Sequence, residues 1–204
     1  MENQQNRQSQ QSKQLVRDSK FLALVLRHDP GKIGIRLDPA GWVSVETLLA
    51  AAGAHGRRIS RARLDQVVAQ NDKKRFEFDQ SGTRIRASQG HSVPVELGYA
   101  PSEPPRVLYH GTATRFLASI FTDGLVPGKR HHVHLSADEA TAVRVGTRHG
   151  RPAVLTVAAG RMRAAGHEFY RSTNGVWLTE RVPAGYLGRL PDPATPAPPE
   201  PPSA

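Results

Sequence analysis

The residues of this chain best suited to chemistry are arginines and histidines at the ends of predicted elements. Arg27 and His28 fall in the last turn of the first predicted helix. Arg75 ends a run of cations between a helix and a strand, and Arg148 precedes a buried strand. A guanidinium holds two phosphate oxygens at once and stays charged, so convergent arginines would form a phosphate clamp. The alternative is structural, because cations at a helix C-terminus also stabilise its free carbonyls.

A second set of candidates consists of histidines in the later half of the chain. His132 and His134 lie two residues apart on a predicted strand, so both side chains point to one face and could bind zinc. The chain has no Cys and no H-E-x-x-H, and we find no carboxylate or third histidine at a familiar ligand spacing. We therefore predict that the protein uses no metal.

The charge balance indicates a polyanionic partner. The 204 residues include 28 Lys and Arg against 18 Asp and Glu, for a formal net charge of +10. Such an excess attracts nucleic acid, although it can also serve solubility alone. Only 6% of residues are aromatic, so phosphate contacts should dominate over base stacking. No G-x-G-x-x-G follows a predicted strand, and neither a P-loop nor a G-x-S-x-G motif occurs.

The first group of candidates is carried by three predicted helices and a hairpin. Ser19, Ser44 and Ser60 are predicted N-caps of the helices, and Asp29 before Pro30 ends the first one. Two short strands follow at 75–78 and 84–87, joined by a Ser-Gly turn. This order favours a winged-helix module, although an ordinary helical lobe fits the pattern as well.

Within such a module the third helix would face nucleic acid. Arg61 and Arg63 lie on that helix, and Lys73 follows it, so we predict that these three cations contact nucleic-acid phosphates. Solvated surface charge is the alternative for both arginines.

The later half of the folded chain is built mainly of strands. Apolar runs predict strands at 107–109, 133–135, 153–157 and 176–178, separated by helices at 114–123 and 137–145. The runs are too short and too often interrupted for a doubly wound parallel sheet. The fold class predicted for the whole chain is therefore α+β.

Composition divides the chain into five parts. Residues 1–17 are rich in Gln, Asn and Ser, and 191–204 are rich in Pro, so both are predicted to be unfolded. A Pro-rich linker at 93–105 separates a lobe at 18–92 from a lobe at 106–190. The longest apolar run has six residues, too few to span a bilayer, and no secretory signal is visible. We expect a cytoplasmic protein.

Several motifs in fixed order resemble the RNA 2'-phosphotransferase family of the KptA type. The resemblance runs from about Ser19 to Leu190 and leaves out both end segments. Its motifs are SKFLALVLRH from Ser19, GWV from Gly41, DKKRF from Asp72, IRASQGHS from Ile85, LYHGT from Leu108, HLSAD from His134, RHG from Arg148 and NGVWLT from Asn174. Such a set is far more specific than any one motif alone.

The resemblance implies a winged-helix-like RNA lobe joined to an ADP-ribosyltransferase-like lobe of mixed β structure. It also implies an enzyme that removes an internal 2'-phosphate from RNA and consumes NAD. The products would be RNA with a 2'-hydroxyl, ADP-ribose 1'',2''-cyclic phosphate and nicotinamide. The implied partners are 2'-phosphorylated RNA and NAD, with no membrane and no obligate protein partner.

The resemblance also assigns roles to individual residues. The catalytic set of the family maps onto Arg27, His28, Arg75 and Arg148. The H-H-V signature of its transferase lobe maps onto His110, His134 and Val176, which would bind NAD as hydrogen-bonding ligands. Gly111, Thr112 and Ser136 are candidates for holding the ribose and nicotinamide of NAD.

Two other functions remain possible at this stage. A winged-helix protein with an accessory second lobe would bind nucleic acid without consuming NAD. An ADP-ribosyltransferase acting on nucleic-acid phosphates or on protein would stop after the first step and leave a stable adduct. The physiological RNA, the oligomeric state and the role of the two end segments are not predicted by the sequence.

Overall fold

The computed structural model describes residues 2–70 and 74–190, apart from the side chains of residues 2–8 and 149, and it separates into two compact units. Unit 1 contains the described residues up to Ala100, together with Gly128–His131 and Arg171–Gly175. Unit 2 contains Pro101–Pro127, His132–Tyr170 and the described residues from Val176 onward. The predicted unfolded tail at 191–204 lies outside the described residues.

Unit 1 packs three α-helices against a small antiparallel sheet. The helices are α1 (Glu2–Arg27), α2 (Val45–Ala54) and α3 (Arg61–Ala69). The strands β1 (Val43–Ser44), β2 (Phe76–Phe78) and β3 (Arg84–Ala87) are ordered β1-β3-β2. Fully buried side chains from every helix and from β3 form its core, among them Leu22, Leu26, Leu48, Leu64 and Ile85.

Serine caps begin the second and third helices as predicted. The Ser44 hydroxyl accepts a hydrogen bond from the N–H of Thr47 at 3.3 Å, and the Ser60 hydroxyl accepts one from Arg63 at 3.2 Å. Each bond satisfies one of the backbone donors that a helix leaves free at its first turn. These caps are confirmed, and they fix where the backbone of α3 starts relative to the sheet.

The first helix is longer than predicted. The sequence predicts an unfolded segment before residue 18 and an N-cap at Ser19, but α1 already begins at Glu2. Once the buried part of a helix is formed, adding Gln, Lys and Arg outward avoids the cost of nucleation. Leu15 also packs on the core of unit 1, and Gln14 donates to Asp18 at 2.9 Å. The predicted start at Ser19 is therefore wrong.

Unit 2 contains two three-stranded sheets and three short helices. One sheet is ordered β4 (Leu108–Ala113), β6 (Pro152–Val157) and β9 (Leu187–Arg189), with antiparallel pairing throughout. The other sheet is ordered β5 (Val133–Leu135), β8 (Trp177–Thr179) and β7 (Tyr170–Arg171). The helices are α4 (Leu117–Asp123), α5 (Glu139–Gly146) and α6 (Ala159–Ala164). An antiparallel bridge between Tyr109 and Ser136 joins β4 to β5.

The α+β class is confirmed, whereas the winged-helix and ADP-ribosyltransferase-like assignments stay predictions. The strand predicted at 133–135 has those bounds in the structure, and the other three predicted strands of this half recur with shifted ends. Strands β1, β7 and β9 were not predicted, because each has only two or three residues and gives no periodic signal. The predicted linker at 93–105 contains the boundary between the units, after Ala100. No described helix combines the length and apolar composition needed to cross a bilayer.

Candidate active site

Arg27 and Arg75 meet in unit 1, although 48 residues separate them in the chain. Arg27 stands in the last turn of α1, and its Nη2 donates a hydrogen bond to the carbonyl oxygen of Arg75 at 3.3 Å. The same carbonyl accepts the N–H of Ser88 at 2.9 Å, which holds the start of β2 against the end of β3. Lys74, directly before Arg75, has a φ of 39°, an uncommon left-handed conformation for a residue other than glycine. The backbone at Lys74 and the bond to Ser88 thus position Arg75 beside Arg27.

A third arginine, Arg130, joins this pair. Burial, followed by the positive charges of Arg75 and then Arg130, lowers the pKa of Arg27 to about 10. A shift of this size corresponds to a penalty of about 3 kcal/mol on the charged form. A bound anion would offset that penalty, so the cluster is suited to hold phosphate. We call Arg27, Arg75 and Arg130, together with His28, the arginine cluster.

His28 is the titratable member of the arginine cluster. Its Nδ1 lies 3.0 Å from the hydroxyl of Ser92, and the backbone N–H of Ser92 donates to the carbonyl of Arg27 at 2.8 Å. Desolvation, then Arg27, then Arg130 lower the pKa of His28. The lowered pKa therefore favours the neutral imidazole at physiological pH. A neutral imidazole can both accept and donate a proton.

His91 is a buried neighbour of the arginine cluster that sequence reasoning did not select as a site residue. The residue is 3% exposed, and neither ring nitrogen has a hydrogen-bond partner in the described parts of the chain. Burial is the main cause that lowers its pKa to about 4, followed by the charges of Arg27, His131 and His28. Arg27 Nε is likewise buried without a partner there. Unpaired buried polar atoms are rare and mark places where a ligand or water completes the structure.

Two predicted NAD ligands, His110 and His134, lie on neighbouring strands of unit 2. His110 Nδ1 is 3.1 Å from the carbonyl oxygen of His134, and His134 Nδ1 is 3.0 Å from the carbonyl oxygen of His132. Because a carbonyl only accepts, each Nδ1 carries the proton and donates it. In the neutral form, each Nε2 is then a hydrogen-bond acceptor, which suits the hydroxyls of a ribose.

Gly111 has a steric reason to be glycine. A Cβ at this position would overlap the carbonyl oxygen of Ala142, because α5 lies directly on β4. Thr112 beside it is 6% exposed, and Ser136 exchanges two backbone hydrogen bonds with Tyr109. The strand pair that carries both histidines is therefore rigidly packed, and Val176 stands immediately before β8. Binding of NAD by these residues stays a prediction.

Arg148 belongs to unit 2, whereas the arginine cluster belongs to unit 1. It lies exposed in a three-residue 3-10 helix, Thr147–His149, that follows α5. Arg130 is the arginine that sequence reasoning missed. A signal was present, because Lys129, Arg130 and His131 form a basic run directly before β5, similar to the run that ends in Arg75.

The cations predicted to contact RNA have other partners in the structure. On α3, Arg61 pairs with Asp65 at 2.9 Å and lies over the ring of Phe78. Arg63 pairs with the buried carboxylate of Asp18 at 3.2 Å. RNA contact by these two arginines stays a prediction, and Lys73 lies outside the described residues. Across 2–70 and 74–190, no three His, Asp or Glu side chains are placed to hold a metal ion.

The fold and the arginine cluster define a basic α+β protein with a group of arginines suited to hold an anion. A family model described as "RNA 2'-phosphotransferase, Tpt1 / KptA family" matches residues 13–181. A probable RNA 2'-phosphotransferase of Agrobacterium fabrum is 58% identical over 169 residues, covering 83% of this chain and 91% of that protein. One from Pseudomonas aeruginosa is 56% identical over 170 residues, covering 83% and 93%. One from Streptomyces griseus is 55% identical over 179 residues, covering 84% of this chain and 95% of that protein. The chain belongs to this RNA 2'-phosphotransferase family, which confirms the resemblance.

Proposed function

We propose that this protein removes an internal 2'-phosphate from RNA with NAD as co-substrate. In the first step, a phosphate oxygen bonds to the ribose carbon that carries nicotinamide, and nicotinamide leaves with the electron pair of the broken C–N bond. In the second step, the adjacent ribose hydroxyl attacks phosphorus, and the bond to the RNA 2'-oxygen breaks. That oxygen takes up the proton which the hydroxyl gives up. The products are 2'-hydroxyl RNA, ADP-ribose 1'',2''-cyclic phosphate and nicotinamide.

The arginine cluster supplies what both steps need. Nicotinamide is already a good leaving group, so the first step depends on holding the phosphate nucleophile in line. Guanidinium groups hold it without competing for protons. In the second step charge builds on the phosphoryl oxygens, and the same groups stabilise it where it develops. Arg148 completes the set that the resemblance implies, and we add Arg130 because its charge acts on both Arg27 and His28.

His28 is suited to the proton transfer of the second step. It is neutral in the free protein because burial, then the charges of Arg27 and Arg130, lower its pKa, and a bound phosphate dianion raises the pKa again. Phosphate binding thereby loads the imidazole with the proton that the departing RNA 2'-oxygen requires. His110 and His134 bind NAD through their Nε2 acceptors, with Thr112 and Ser136 near them on the same strands.

The observation that carries this proposal is the set of guanidinium groups around Arg27 in a chain of this family. The test is incubation with 2'-phosphorylated RNA and labelled NAD, followed by chromatography. We expect dephosphorylation that requires NAD, persists in excess EDTA and releases one nicotinamide for each RNA. Loss of activity on chelation, or release of inorganic phosphate without NAD, would contradict it. An ADP-ribosylated RNA that accumulates in the wild type would instead support a transferase that stops after the first step.

The separate role of unit 2 is tested with His110→Ala. This variant should raise the NAD concentration needed for half-maximal rate and leave RNA affinity nearly unchanged, because the arginine cluster is built from other residues. RNA binding that collapses in the variant would mean that the two substrates are assigned to the wrong units.

A further inference from the structure

A pocket of about 480 Å³ in unit 1 lies on the face of α1 that carries Arg17, Lys20 and Leu24. Arg17, Lys20, Lys32, Arg57 and His55 surround it, and Phe21, Leu24 and Ile33 form its apolar floor. We call this the basic pocket. No Asp or Glu is among its lining residues. Asp29, the carboxylate nearest in sequence to Lys32, accepts the N–H of Lys32 at 3.0 Å and caps the turn after α1.

The geometry of α1 explains why these cations converge. Arg17, Lys20 and Leu24 are spaced three and four residues apart, so they lie on one face of the helix. The guanidinium of Arg57 lies over the ring of Phe21 at 5.4 Å, which orients it along the pocket wall. Four permanent cations are thereby held around one opening, all of them exposed.

Lys20 connects the basic pocket to the arginine cluster. It also lines a groove of about 530 Å³ between α1 and α3, and Arg75 lines that same groove. Ser19, Gln66 and Gln70 contribute polar groups to this groove. At a rise of about 1.5 Å per residue, Arg27 lies about 15 Å along α1 from Arg17, a span that a few nucleotides cover. The groove therefore links Arg75 of the arginine cluster to Lys20 of the basic pocket, with polar groups between them.

We propose that the basic pocket binds the backbone phosphates of the RNA strand that flanks the 2'-phosphorylated nucleotide. This inference rests on the proposed function, because it extends the RNA site outward from the arginine cluster. Charge complementarity and continuity with the groove at Arg75 select RNA over a protein partner. Flexible exposed Lys and Arg side chains follow a backbone without reading bases. The expected role is therefore affinity for longer RNA, independent of its sequence.

The test compares two double variants in RNA-binding and kinetic assays. Lys32→Gln with Arg57→Gln removes two cations of the basic pocket, and Arg36→Gln with Arg181→Gln removes two exposed cations that do not line it. For a long single-stranded RNA without 2'-phosphate, the pocket variant should lose affinity several-fold. Its plot of log affinity against log salt should be shallower by about 1.4, since each single-strand phosphate contact contributes about 0.7. The control variant should match the wild type.

A 2'-phosphorylated dinucleotide separates this inference from the proposed function. It is too short to reach from the arginine cluster to the basic pocket, so the pocket variant should process it at the wild-type rate. A salt dependence equal to that of the control overturns the inference. Equal losses on dinucleotide and long RNA also overturn it, because the pocket would then belong to the 2'-phosphate site. Lost affinity for ADP with unchanged RNA affinity overturns it in favour of a nucleotide site. Absence of NAD-dependent dephosphorylation in the wild type overturns the proposed function and leaves the RNA-binding comparison intact.

Discussion

The roles of Arg130 and Arg148 in catalysis can be tested with one pair of variants, Arg130→Ala and Arg148→Ala. The family resemblance selects Arg148 and predicts that its loss nearly abolishes the second step. Arg148 stays a prediction, and the structure adds Arg130, whose charge lowers the pKa of both Arg27 and His28. We expect Arg130→Ala to slow the second step as well.

The magnitude follows from what Arg130 does in the second step. Removing one preorganised donor from a developing oxyanion costs about 3–4 kcal/mol, or roughly 100- to 1,000-fold in rate. A small effect opposes this loss, because the remaining Arg27 carries less like-charge repulsion once Arg130 is gone. The expected net result is a slowing of about 100-fold or more in the release of dephosphorylated RNA.

The assay is a single-turnover reaction with enzyme in excess over 2'-phosphorylated RNA and saturating NAD. Substrate, ADP-ribosylated intermediate and product are separated on a gel at each time point. An NMR titration of His28 in the free protein provides an independent measurement, since the pKa of His28 should rise in Arg130→Ala. If that pKa rises while the rate stays at the wild-type value, Arg130 is near the site but does not act in it. If only Arg148→Ala slows the reaction, our assignment from the structure is refuted.

Three further predictions concern residues that support the two units. Arg63→Gln should lower the free energy of unfolding by about 1–3 kcal/mol, because the buried Asp18 loses its ion pair. The folded pKa of His91 is about 4, below the unfolded value near 6.5, so the unfolded state binds more protons between these values. Stability should fall as the pH drops through this window, by about 3 kcal/mol in total, and His91→Gln should flatten that dependence. Gly111→Ala should prevent stable folding of unit 2, because its Cβ would overlap backbone of α5.

Chemical denaturation at several pH values measures the free energy of unfolding for Arg63→Gln, His91→Gln and Gly111→Ala. Each variant is compared with the wild type, and two of them also have a matched control variant. Arg61→Gln is the control for Arg63→Gln on the same helix. The ion pair between Arg61 and Asp65 is exposed, so its loss should change the free energy of unfolding little. If RNA affinity depends less steeply on salt in Arg61→Gln and Arg63→Gln than in the wild type, this supports the RNA contacts that the sequence predicts for both residues. Gly185→Ala should be tolerated, because nothing lies within 4 Å of its added Cβ. If the stability of His91→Gln falls with pH as steeply as that of the wild type, groups other than His91 cause the pH dependence.

Several features of this protein follow from the sequence without reference to contacts between distant residues. The caps at Ser44 and Ser60 depend on a hydroxyl and the next turn of the same helix, so their sequence signal was sufficient. The strand Val133–Leu135 is a short apolar run with clear ends. Family membership was also visible, because it depends on the order of many motifs along the chain. These features need only neighbours in sequence, or the sequence as a whole.

The tertiary structure decided which side chains act together. Arg130 approaches Arg27 only because the segment Gly128–His131 folds onto unit 1, a contact across about a hundred residues that no periodicity encodes. The continuation of α1 to Glu2 depends on packing of Leu15 and on the ion pair between Asp18 and Arg63, both supplied by other elements. His91 has no distinguishing signal in the sequence. Its burial in the folded chain leaves both ring nitrogens without a hydrogen-bond partner in the described residues and lowers its pKa. Residue types and local structure follow from the sequence, whereas convergence and burial are properties of the folded chain, because they depend on contacts between distant segments.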